Sequence, residues 1–81
     1  MTPELTVDEL KSIFGLTRSE ARVAQQIARG LAPKQIARLH GVVPDTVRNQ
    51  LKVLFSATDT HTQCSLAVLL IKTAISRSQN A

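Results

Sequence analysis

Arg48, Asn49 and Lys52 fall within five consecutive positions, and each is a side-chain type that can read the edge of a base pair. Arginine and lysine donate to the two major-groove acceptors of guanine, and asparagine pairs with adenine through one donor and one acceptor. The stretch around them reads PDTVRNQLKVLFS. If it is helical, Val47, Leu51, Leu54 and Phe55 share one face, while Asp45, Arg48, Asn49, Lys52 and Ser56 share the opposite one. Such a polar face is either solvated or seated in a groove of DNA. Asp45 is the awkward member, because it would repel phosphate; it can instead cap the helix or accept from cytosine.

Other chemistry finds little footing. His61 and Cys64 are three residues apart, yet a zinc site takes three or four protein ligands and nothing nearby completes one. The sequence holds no Gly-rich phosphate loop, no paired acids in an apolar setting and no Ser-His-Asp set. We therefore expect neither an enzyme nor a cofactor or metal. Cys64 is alone, so no internal disulfide forms, and its expected place is as a small core residue.

These side chains need a scaffold, and 81 residues supply one domain with one modest core. Its apolar content is almost wholly aliphatic: Phe14 and Phe55 are the only aromatics, which favours helices over sheets. The net charge of +4 is unevenly spread. Between residues 16 and 58, Arg18, Arg22, Arg29, Lys34, Arg38, Arg48 and Lys52 face only Glu20 and Asp45. A basic stretch of this kind suits a polyanionic partner, though it also aids solubility. The longest apolar run, Leu66 to Ile71, is far short of the ~20 residues that cross a bilayer. With no signal-peptide pattern at the N-terminus either, a cytoplasmic protein without a membrane partner is expected.

Punctuation marks the helices. Thr6-Val7-Asp8-Glu9 and Thr17-Arg18-Ser19-Glu20 both have the capping-box pattern. The first opens a short helix through Leu10, Ile13 and Phe14 to Gly15; the second runs inward-facing Ala21, Val23, Ala24, Ile27 and Ala28 to Gly30. Leu16 and Ala21 flank Thr17 as a hydrophobic staple. Pro33 and Pro44 suit first turns, so a third helix turns at Gly41 and a fourth spans about 44–57. Thr62 should cap a last helix from Gln63 to Ile75 or beyond. That helix is apolar on more than one face, so it is either central or shared with a second subunit. The tail over 77–81 should fray.

The third and fourth helices have the spacing of a helix-turn-helix. Ala37 lies four residues before Gly41 and Val47 six after it: a small residue lets the helices approach, Gly supplies the left-handed turn, and an apolar residue anchors the second helix. In order, Leu16-Thr17-x-x-Glu20, Ile27-Ala28-x-Gly30-Leu31, Lys34-x-Ile36-Ala37, Gly41-Val42, Thr46-Val47-Arg48, Leu54-Phe55-x-x-Thr58 and Gln63 resemble the LuxR-type (GerE-like) helix-turn-helix domain of bacterial transcriptional regulators. The resemblance covers residues 16 to about 71. It implies an all-α fold, a four-helix LuxR-type bundle over 16–76 preceded by a lead or short extra helix in 1–15. It also implies sequence-specific binding of double-stranded DNA, a homodimer through the last helix, and an upstream sensor domain absent from this chain.

By that resemblance Lys34 and Thr46 are similar to backbone-contacting positions, and Arg48, Asn49 and Lys52 to base- and phosphate-facing ones. Leu69, Leu70 and Ile75 are candidates for the dimer seam, although core burial would explain them equally well. The chain departs from the family pattern at Val43, where a Ser cap is usual, at His40, where a core Leu is usual, and at Gln50, where His is frequent. Ala57 and Asp59 replace a common Lys and Gly. The alternative reading is a protein-interaction module that uses the apolar last helix, with DNA binding weakened or lost through the Val43 and Ala57 changes.

Overall fold

Two threonines start the chain's first two helices in the same way. In the computed structural model, which describes residues 3–79, Thr6 Oγ1 accepts from the Glu9 N–H at 3.1 Å and Glu9 Oε1 accepts from the Thr6 N–H at 3.0 Å. Thr17 and Glu20 repeat the exchange at 3.2 and 2.9 Å. Each box satisfies N–H groups that a helix start leaves without intrahelical partners. They open α1 (Val7–Phe14) and α2 (Arg18–Ala28). α3 (Pro33–His40) and α4 (Pro44–Thr58) begin on proline instead, behind Ala32 and Val43, neither of which offers a side-chain acceptor. Gln35 partly compensates in α3, its Oε1 taking the Ala32 N–H at 2.7 Å. Thr62 Oγ1 accepts from the Ser65 N–H at 3.0 Å and starts α5 (Gln63–Gln79).

Three of the helices close with paired backbone bonds through a left-handed residue. Leu31 and Gly30 donate to Gln26 and Ile27 after α2, Val42 and Gly41 to Ala37 and Arg38 after α3, and Thr60 and Asp59 to Phe55 and Ser56 after α4. The left-handed residue is glycine in the first two and Asp59, at φ 54°, in the third.

Among the described residues the protein is all-α, with five helices and no strand. α2 is the central one: it packs against each of the other four and buries Ala21, Val23, Ala24 and Ile27. α5 packs chiefly on α2 and less on α4, burying Leu66, Leu70 and Ala74. Its remaining apolar residues are not core: Val68 and Ile75 are exposed, and Leu69 is half-buried. Cys64, expected inside, is exposed in the first turn of α5, because the inward stripe at 3.6-residue spacing runs through Leu66 and leaves Cys64 on the solvent side.

The lead is also part of the fold. Leu5 is buried, Gln25 Nε2 on α2 donates to its carbonyl at 3.0 Å, and Arg29 grips Glu4 with Nε and Nη2 at 2.8 and 2.6 Å. The fraying expected over 77–81 does not extend to residues 77–79, which are helical. Arg77 Nε is held there by Glu9 Oε2 at 2.8 Å. Residues 80 and 81 lie outside the described part. No described helix is long and apolar enough to cross a membrane.

Candidate nucleic-acid interface

α3 and α4 form a packed pair around Ile36, Ala37 and Val47, all buried. Gly41 turns the chain between them at φ 67°. α4 buries Val47, Leu51 and Leu54 on one side and exposes Asp45, Thr46, Arg48, Asn49, Lys52, Val53 and Ser56 on the other. The polar face is therefore uncovered along its length: no other described segment lies over Arg48 or Lys52. A helix about 10–12 Å across, presented in this way, matches the ~12 Å width of the major groove.

Lys34 and Arg38 are exposed one turn apart on α3. Arg18, Ser19 and Arg22 are exposed on α2, and Ser19 ties that helix to α4: Gln50 Nε2 donates to Ser19 Oγ at 2.8 Å. Gln50 Oε1 is buried and has no partner. Lys34, Thr46, Arg48, Asn49 and Lys52, the positions singled out from sequence, are all exposed, whereas the Ser19–Gln50 bond was not foreseen. No local pattern signals a bond between residues 31 positions apart.

Asp45 neither caps nor stands alone. Its Oδ1 accepts from Arg48 Nη1 at 2.8 Å, with the two side chains 82% and 56% exposed. An exposed pair of this kind contributes about 0–1 kcal/mol, so a stronger anion can displace the carboxylate from Arg48. The guanidinium is held in place but not locked.

The turn carries two further departures from simple expectation. Val43 occupies the cap position of α4 with extended backbone, φ −75° and ψ 152°, and is exposed together with Leu39 and Val42. His40 is half-buried, and its Nε2 is enclosed without a hydrogen-bond partner. Burial pushes its pKa below the ordinary 6.5, and the neighbouring Arg22 charge adds to that.

Of the seam candidates, Leu70 is 2% exposed and belongs to the core, since its side chain sits on the stripe shared with Leu66 and Ala74. Leu69 and Ile75 remain accessible, and Val68 joins them. Among the described residues no three His, Cys, Asp or Glu side chains gather where a metal ion could bind. Compared with models of known protein families, with characterised proteins and with solved structures, the chain finds no match.

Proposed function

We propose that this chain is a sequence-specific double-stranded DNA-binding domain, the output part of a cytoplasmic bacterial transcriptional regulator, with α4 in the major groove. The observation that carries the reading is the uncovered face of α4: Arg48, Asn49 and Lys52 all exposed, opposite a side fixed to the core by Val47, Leu51 and Leu54. Lys34 and Thr46 set the register on phosphates, and Arg48, Asn49 and Lys52 meet base edges. The motif resemblance to LuxR-type domains supports the same assignment, and that family's usual upstream sensor domain belongs to the proposal.

Self-association through α5 completes it. Val68 and Ile75 are exposed and Leu69 is half-exposed on that helix, so two copies joined there would place two reading helices about one DNA turn apart. The same exposed strip favours the second reading, an interaction module that binds a protein partner through α5. Salt separates the two. A selected duplex should bind with log K falling by ~0.9 per log salt for each phosphate neutralised, whereas an apolar partner interface should be nearly indifferent to salt.

Within the DNA reading, Arg48→Ala should weaken specific binding by about 1–3 kcal/mol and relax preference at one base pair. Lys34→Ala should weaken all sequences alike and flatten the salt slope by about one contact. Fluorescence anisotropy over a salt series, on a duplex selected from a random pool, measures both. A flat salt response, or equal affinity of Arg48→Ala and the parent, would refute the assignment.

A further inference from the structure

The outward side of α4 is polar except at Val53 and at Ala57, which carries only a methyl group near the helix end. Val53 is 44% exposed, next to Lys52 and one helical turn beyond Asn49, with Ser56 a turn further on. It is surplus to the core, which α4 supplies through Val47, Leu51 and Leu54. Scattered exposed valines are common, but this one lies inside the very face that bears Asn49 and Lys52. It is also β-branched, a weak choice for an exposed helix position, where Lys, Gln or Ala would be better helix formers. Thr46, two turns earlier on the same flank and also exposed, continues the line with a methyl group.

The major groove displays one apolar group, the C5-methyl of thymine. We infer that Val53 reads a thymine methyl, a specificity contact that rests on the DNA-binding reading above. Asn49 and Val53 are four residues apart, which is about 6 Å along a helix axis. Base pairs step by about 3.4 Å, so the two side chains address positions about two base pairs apart when the helix follows the groove. The recognised core then combines an adenine opposite Asn49 with a thymine methyl opposite Val53, flanked by the guanine contacts of Arg48 and Lys52. Val53 gives the face a preference that its charged residues lack, because it gains nothing from phosphate and nothing from a cytosine at the same place.

The test uses the complete chain and a duplex selected from a random pool. Each thymine is replaced in turn by deoxyuridine, which deletes the methyl and leaves the base pairing intact. At one thymine the parent should lose about fourfold in affinity, the worth of one buried methyl-sized group. Val53→Ser, which keeps a similar helix propensity, should bind thymine and deoxyuridine equally at that position, with an unchanged thermal melt. Deoxyuridine effects that are absent, or that are the same size in parent and Val53→Ser, overturn the inference while DNA binding stands. If no duplex binds with a steep salt dependence, the DNA reading itself fails, and the inference falls with it.

Discussion

At the end of the molecule formed by the lead, α1 and the last turns of α5, cations meet acids: Arg29 holds Glu4 and Arg77 holds Glu9. On the side formed by α3, α4 and the start of α2, Lys34, Arg38, Lys52, Arg18 and Arg22 make no ion pair among the described residues, and only Arg48 has an acid beside it. Of the other acids there, Glu20 turns back to its own helix cap and Asp59 closes the C-terminal end of α4. The first region uses charge to hold segments of its own chain together. The second leaves charge facing outward, the condition for attracting something else. Local stability differs in the same direction. α1 and α2 begin with complete capping boxes, whereas the cap residues of α3 and α4 offer no side-chain acceptor and only Gln35, in α3, takes a cap N–H. The pair also encloses the unpartnered His40 and Gln50 atoms. Weaker capping and unmet polar groups thus collect at the outward-facing half.

The sharpest way to break this contrast is at His40. An enclosed polar atom without a partner costs about 1–3 kcal/mol, so His40→Leu should stabilise the domain by about that amount, or several degrees in Tm. The pH dependence follows from the lowered pKa. Above 6.5 the imidazole is neutral in both folded and unfolded chains, and its stabilising share is complete; as pH falls through the lowered folded value, the buried ring must charge and that share is lost. Thermal melts between pH 5 and 8 should therefore show the parent losing stability on acidification and His40→Leu losing less. Parallel curves would mean that Arg22 and the enclosure of the ring do not govern this end of the fold.

A smaller effect of the same kind is expected at Val43. Its backbone already has cap geometry and its side chain is mostly exposed, so Val43→Ser removes little burial and adds a side-chain acceptor at the first turn of α4, where the Thr46 N–H now has only the Val43 carbonyl. The gain should be about 1 kcal/mol, read by chemical denaturation. An unchanged midpoint would show that this turn is well served by water and the Val43 carbonyl, and the difference between the two halves in capping would lose its meaning.

How much of this could be read from sequence depends on whether the signal was local. Both capping boxes, the two proline starts, Gly41 and the Thr62 cap were legible because each acts within four residues of itself. So was the outward face of α4, through its 3.6-residue period. The same boxes held one signal that went unused: Leu5 precedes the cap Thr6 and Leu10 follows it by four, the staple arrangement also present at Leu16 and Ala21, and Leu5 is indeed buried. The rest was not local. Which helix is central was ambiguous, because α5 is more continuously apolar than α2, and only packing shows that α2 touches every other helix. The Gln50–Ser19, Arg29–Glu4 and Arg77–Glu9 bonds join residues 31, 25 and 68 positions apart. Cys64 was expected inside and lies outside, and Leu70, open to either seam or core, lies in the core, because hydrophobicity alone does not fix the phase of a helix that is apolar nearly all round.

The smallest expected effect lies at the ion pair of the lead, and it tests whether the pairing there is structural at all. Arg29 lowers the pKa of Glu4 chiefly through its hydrogen bonds to the carboxylate. A lowered acid pKa means that the pair's contribution is present above the ordinary 4.5 and lost as pH falls from there through the folded value. Both side chains are more than a third exposed, so solvent screening limits that contribution to under about 1 kcal/mol. Glu4→Gln should barely move the global melt. What it should move is local: the Gln25 side-chain amide, which donates to the Leu5 carbonyl, should report a loosened lead in its NMR shifts and solvent exchange. The parent should reach the same state on acidification below pH 4.5, and Glu4→Gln should show it already at neutral pH. If the amide signals of parent and variant coincide at neutral pH, burial of Leu5 holds the lead without help from charge. The two ends of the molecule would then differ in packing, with their ion pairs incidental to it.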